Sequence, residues 1–136
     1  MSEYTKQANA FATKYGVKLA TIGEPEYKYH FSGDNQKRYV FKMKLSRGRK
    51  SYTFSFGQSI NAGAEEPTMY DVLTCLQKYE VGSFEDFCSE FGYDTDSRTA
   101  EKTYKAVCRE YEAICRLFPE IERGNEAFIN EFSEIQ

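Results

Sequence analysis

The clearest pattern in the chain is an alternation of apolar and polar positions, repeated three times in its first half. Tyr27, Tyr29 and Phe31 alternate with Lys28 and His30. Tyr39, Phe41, Met43 and Leu45 alternate with Arg38, Val40, Lys42 and Lys44, and Tyr52, Phe54 and Phe56 with Ser51, Thr53 and Ser55. A period of two is that of a strand with one face covered and the other in water. Ser32-Gly33-Asp34-Asn35 and Arg47-Gly48-Arg49 lie between the runs and have turn composition. The three runs therefore predict a three-stranded antiparallel meander with an aromatic inner face. Residues 17–22 are also rich in strand formers, and Gly23-Glu24-Pro25 is expected to interrupt them.

The period changes on either side of this block. Tyr4, Ala8, Phe11 and Tyr15 recur at helical spacing, so a helix is expected over 3–15, capped by Ser2 and stopped at Gly16. Residues 57–66 form a small, polar connector without the Gly-Lys-Ser/Thr ending of a phosphate loop. Pro67-Thr68 with Asp71 marks the start of a second helix, its buried face made by Met69, Val72, Leu73 and Leu76, joined by Cys75 or Tyr79. Val81-Gly82 breaks it. Ser83 with Asp86 starts a third helix that turns Phe84, Phe87, Cys88 and Phe91 inward and ends at Gly92. A fourth, over 98–117, holds a 3.6-residue period from Ala100 through Thr103, Tyr104, Val107, Cys108, Tyr111, Ile114 and Cys115 to Phe118, and Pro119 stops it. Ile121, Phe128, Ile129 and Phe132 outline a last short helix that either docks on the core, the favoured expectation, or offers an acidic amphipathic face to a partner. The fold class is α+β: an N-terminal helix, a three-stranded meander, then three to four helices covering one sheet face, in one domain of 136 residues.

Charge divides this domain. Residues 1–60 hold eleven Lys/Arg against four Asp/Glu; residues 61–136 hold seven against seventeen. The basic set lies on the outer sheet face and its hairpin: Lys28, Arg38, Lys42, Lys44, Arg47, Arg49 and Lys50. It is either a solvated face that discourages edge pairing or a docking surface for phosphates or an acidic protein. Because no aromatic is expected to point outward, a base-stacking platform is disfavoured there. The acidic set lies on the helices: Glu85, Asp86, Glu90, Asp94, Glu110, Glu112, Glu120 and Glu122. Asp94 and Asp96 resemble the start of a calcium loop, but Arg98 and Thr99 stand where a ligand and a glycine belong. Capping of the fourth helix by Asp96 or Ser97 accounts for them instead.

Catalytic chemistry has little to stand on. His30 is alone of its kind and expected to face outward, and no nucleophile has a motif pairing it with a base. Cys75, Cys88, Cys108 and Cys115 form no C-x-x-C and sit among apolar residues, as reduced, buried thiols would. No apolar run is long enough to span a membrane, and the first residues lack a signal-peptide pattern. The expectation is a cytoplasmic protein without enzymatic activity, metal or cofactor.

The segments SYTFSFGQS, EEPTMYDVLTCL and FEDFCSEFGYDTDSRTAEKTYKA, in that order, resemble a functionally uncharacterised family of small bacteriophage- and prophage-encoded proteins. Its most specific feature is the Gly-Tyr-Asp-x-Asp-Ser-Arg elbow, here residues 92–98, and the resemblance covers about residues 39–117. It implies a phage or prophage setting inside a host bacterial cell. Small phage proteins without enzymatic motifs are often inhibitors of host machinery, anti-CRISPR proteins among them. The leading expectation is thus a protein-binding inhibitor of a host defence complex, a protein or ribonucleoprotein, whose acidic helices occupy a basic nucleic-acid channel. The alternatives are a nucleic-acid binder using the basic hairpin and a homo-oligomer joined through its tyrosine-rich surface.

Overall fold

A computed structural model describes residues 2–30, 36–79, 83–122 and 124–132, with the backbone alone for 76–79. The expected turn at 32–35, Phe31, the buried positions Leu76 and Tyr79, and the break at 81–82 lie outside this description. The elements run α1 (Glu3–Lys14), β1 (Val17–Tyr29), β2 (Lys37–Arg47), β3 (Lys50–Gly57), a 3-10 turn (Ile60–Ala62), α2 (Met69–Tyr79), α3 (Phe84–Phe91), α4 (Arg98–Leu117), a second 3-10 turn (Pro119–Ile121) and α5 (Glu126–Glu131). The sheet is antiparallel in the order β1-β2-β3. Among the described residues no helix is long and apolar enough to cross a membrane.

Side-chain caps set the helix starts. The Ser2 hydroxyl accepts from Thr5 N–H, and Ser97 from Ala100 N–H. Thr68 and Asp71 cap reciprocally: Thr68 N–H donates to Asp71 Oδ2 at 2.8 Å and Asp71 N–H to Thr68 Oγ1 at 3.3 Å. Each such cap satisfies donors that the first turn leaves without partners and is worth about 1 kcal/mol.

The inner sheet face carries Phe41, Met43, Leu45, Phe54 and Phe56, all buried. Helices α1, α2 and α4 cover it with Phe11, Leu73, Val107 and Ile114, among others. The C-terminal segment closes the same core. Phe118 and Phe132 are fully buried, and the Phe11 ring meets them at 5.6 and 6.1 Å between centroids. The last helix therefore docks on its own domain. Lys14 reinforces the contact from α1 by pairing with Glu131 at 2.6 Å.

Several expectations are corrected. Gly23-Glu24-Pro25 does not end a strand. β1 runs through it, with a register irregularity between Ile22 and Glu26 that Gly23, at φ +69°, permits. Pro25 is tolerated because β1 is an edge strand. Tyr27 and Tyr29, expected inward, are each 61% exposed. They do lie on the core side, opposite Tyr39 and Lys37, but these pairs extend past the last β2–β3 pair, Val40 with Gly57. Val40 and His30, expected outward, are buried and half-buried. Gly57 is the reason: with no side chain there, the His30 ring and the Arg38 stem lie across it. A Cβ at Gly57 would come within 2.9 Å of His30 Cγ and 2.7 Å of Arg38 Cδ.

Tyr4 is half exposed and stacks on Tyr70 at 5.6 Å, while Thr5 and Ala12 join the buried face of α1. Ile129 is likewise largely exposed. Of the cysteines, Cys88 and Cys115 are buried and Cys75 and Cys108 half-buried; none forms a disulfide.

Candidate functional site

Helix α3 and the elbow after it form a small unit of their own. Phe87, Cys88 and Ala100 make a second buried cluster, separate from the main core, with Phe84, Phe91, Tyr93 and Tyr104 around it. The Phe87 ring lies 5.0 Å from Phe91, 5.6 Å from Tyr93 and 5.4 Å from Tyr104. Aromatic contacts at these separations fix ring orientation as well as burying area. Ser83 and Asp86 close a capping box at the start of α3, and Gly92 ends it in the left-handed conformation, φ +75°. Tyr93 N–H then donates to Cys88 O at 2.9 Å. The backbone of 83–97 is thus held at both ends of α3 and in the middle.

The polar residues of this unit are of one sign. Residues 83–97 contain Glu85, Asp86, Glu90, Asp94 and Asp96 and no Lys or Arg. All five carboxylate residues are exposed. Among the described residues none of the five shares an ion pair with a basic side chain. Their field acts on buried neighbours. Burial, then the charges of Glu85 and Asp94, push the Cys88 thiol up. Burial, the adjoining Cys108 and then Glu85 and Asp86 do the same to the Tyr104 phenol.

The other members of the acidic set separate. Glu112 and Glu122 are exposed on α4 and after the second 3-10 turn. Glu120 is engaged: Arg47 Nη1 and Nη2 donate to its two carboxylate oxygens at 2.9 and 3.0 Å. Burial works against its charge most strongly, but the hydrogen bonds from Arg47, a backbone hydrogen bond and the Arg47 charge together hold the carboxyl below its usual range. Glu110 does not reach the surface at all. It is 7% exposed, on the face of α4 that meets the sheet, and its Oε1 has no hydrogen-bond partner. Burial pushes its pKa from 4.5 up to about 8. The neighbouring Tyr52 phenol is raised too, by burial and then by the Glu110 charge. The period of α4 carried this signal, since 107, 110 and 114 share one face; the residue type pointed the other way.

The basic set is also divided. Arg47 is tied to Glu120, leaving Arg49 and Lys50 exposed at the β2–β3 turn. Lys42 and Lys44 are exposed on the outer sheet face, with Lys18 from β1 in the same row system. Lys28 Nζ lies 3.3 Å from Glu26 Oε2. The irregularity in β1 brings Glu24 and Glu26 into the shallow cleft of about 330 Å³ that Lys28 and Lys42 also line. Arg38 is half-buried over Gly57. The outer face is therefore mixed in sign where the sequence suggested one continuous basic surface.

His30 Nε2–H donates to Ser55 O at 3.1 Å, and burial lowers the ring pKa to about 4, so the imidazole is neutral at pH 7. Among the described residues no three His, Cys, Asp or Glu side chains are grouped closely enough to hold a metal ion. Comparisons with protein families, with curated proteins and with solved structures yield no match.

Proposed function

We propose that this chain is a non-enzymatic binding protein that docks through α3 and the elbow onto a basic surface of a larger complex. The observation that carries the reading is the set Glu85, Asp86, Glu90, Asp94 and Asp96, exposed and, among the described residues, without ion-pair partners, on a backbone fixed by the Phe87 cluster. Exposed carboxylates resemble phosphates in charge and as hydrogen-bond acceptors. They suit a channel that normally takes nucleic acid. Holding them on a packed unit lowers the ordering cost of association. The phage setting implied by the resemblance of residues 39–117 supplies the partner class, a host defence protein or ribonucleoprotein.

The test is a pull-down from host lysate, nuclease-treated and untreated in parallel, followed by elution with heparin. A stoichiometric protein in both arms that heparin displaces supports the reading. Recovery only without nuclease, or a partner that heparin and salt leave in place, opposes it.

A further inference from the structure

At one end of the sheet the β1–β2 pairing continues past the last β2–β3 pair, with Gln58 N–H still donating to Tyr39 O at 2.9 Å and the His30 ring folded back over Gly57. β3 stops at Gly57, opposite Val40, while the pairs Tyr27–Tyr39, Lys28–Arg38 and Tyr29–Lys37 continue as a two-stranded ribbon. On its core side the ribbon carries Tyr27, Tyr29, Tyr39 and Lys37. Tyr39 packs against the core, and its ring holds Tyr27 at 5.0 Å. Tyr27 and Tyr29 remain 61% exposed each. Being two residues apart on one strand, they repeat along the same face at roughly 7 Å. Lys37 Nζ stands 5.7 Å from the centre of the Tyr29 ring.

We propose that this ribbon binds single-stranded nucleic acid, with two successive bases stacked on Tyr27 and Tyr29 and Lys37 on the intervening phosphate. Aromatic side chains presented in a row on a sheet, with cations beside them, are how proteins hold unpaired bases without reading sequence. A duplex does not fit, because its base faces are already covered by their neighbours. A protein partner fits less well: the paired residues of the ribbon, 27–29 and 37–39, offer exposed rings and cations and include no aliphatic side chain. Lys28, on the other side of the ribbon, is offset by Glu26 at 3.3 Å, so Lys37 is the principal phosphate contact. The site shares no residue with α3 or the elbow and stands whether or not the acidic unit binds a protein.

The experiment is fluorescence anisotropy with a labelled oligothymidine of about 12 nucleotides, within the range one such platform occupies. The full chain, with binding read at about 50 and about 200 mM salt, should bind it saturably and more weakly as salt rises. Tyr27→Ala with Tyr29→Ala should weaken binding by about tenfold or more, while Tyr27→Phe with Tyr29→Phe stays within about twofold, because the ring face is what stacks. Lys37→Ala should reduce the slope of log K against log salt by roughly 0.7. Both tyrosines are exposed, so these variants leave the core untouched and circular dichroism should superimpose. Absence of saturable binding overturns the proposal. So does unchanged affinity in the alanine pair, or a duplex that competes as well as a single strand. Loss of a protein partner by the alanine pair, with no oligonucleotide bound, would assign the face to that protein and overturn it equally.

Discussion

Replacing Glu110 with Gln should make the protein more stable above neutral pH and remove the loss of stability that this carboxyl imposes as pH rises. The carboxyl is buried on the sheet-facing side of α4, Oε1 is without a partner, and its pKa is raised from 4.5 to about 8. The direction follows from linkage. Below pH 4.5 the group is protonated in both folded and unfolded chains and costs nothing extra. As pH rises from there, the unfolded chain releases the proton and the folded one keeps it, so folding loses stability until the folded group also ionises near pH 8. At about 1.36 kcal/mol per unit, the loss is about 3 kcal/mol at pH 7, and about 4 kcal/mol accrues between about pH 5 and pH 9. For a chain of this length 1 kcal/mol moves Tm by roughly 3–4 °C, so the wild-type Tm should fall relative to the variant by more than about 10 °C across that window. Tyr52, the titratable neighbour, is raised above its usual 10.0 and stays protonated throughout. Thermal and urea unfolding of both proteins, followed by circular dichroism and tyrosine fluorescence, supplies the comparison. Groups unaffected by the substitution cancel in the difference. Parallel pH profiles would refute the reasoning. Glu110→Leu, which removes the orphan acceptor as well, should be more stable than Glu110→Gln at every pH.

Three further outcomes follow from other contacts. Gly57→Ala, which drives a Cβ to within 2.9 Å of His30 Cγ, should displace the ring from Ser55 O and cost about 1–3 kcal/mol. The single histidine makes this readable by NMR titration, with His30 moving from about 4 toward its ordinary 6.5. A double-mutant cycle on Arg47→Ala and Glu120→Ala should return a coupling of about 1 kcal/mol by chemical denaturation, as a bidentate but partly exposed pair gives. Phe87→Ala should cost about 3–5 kcal/mol locally. In hydrogen exchange it should release the amides of α3 and the elbow while those of β2 and β3 keep their protection, since the two clusters are separate.

The architecture was legible because period and caps agreed. Three alternating runs became three antiparallel strands, and Thr68–Asp71, Ser83–Asp86 and Ser97 each start a helix as their spacing implied. What was not legible depends on where elements stop in space. Tyr27 and Tyr29 alternate like Tyr52 and Phe54, yet β3 ends at Gly57 and leaves the first pair without a cover. Gly23 and Pro25 have the composition of a strand end, but an edge strand can absorb them as an irregularity. Charge misled where packing decided. Arg47 and Glu120 were assigned to opposite surfaces, and 73 residues of separation gave no hint that they meet. Glu110 was placed on the acidic surface by its side chain, yet it shares a helical face with Val107 and Ile114 and is buried. The acidic set kept Glu85, Asp86, Glu90 and Asp94 together because they are close in sequence and fixed by one local cluster.

The central claim is that the carboxylates of α3 and the elbow make the contact with a partner. Asp86 also accepts from Ser83 N–H, so reversing it would unfasten the helix along with its charge. Glu85→Lys with Glu90→Lys changes the surface alone. The decisive measurement is the affinity of this double variant for the partner recovered from lysate, by titration at two salt concentrations beside the wild type. The account predicts a loss of about tenfold or more, shrinking as salt rises, with an unchanged circular dichroism spectrum. Equal affinity for the two proteins at both salt concentrations would contradict it.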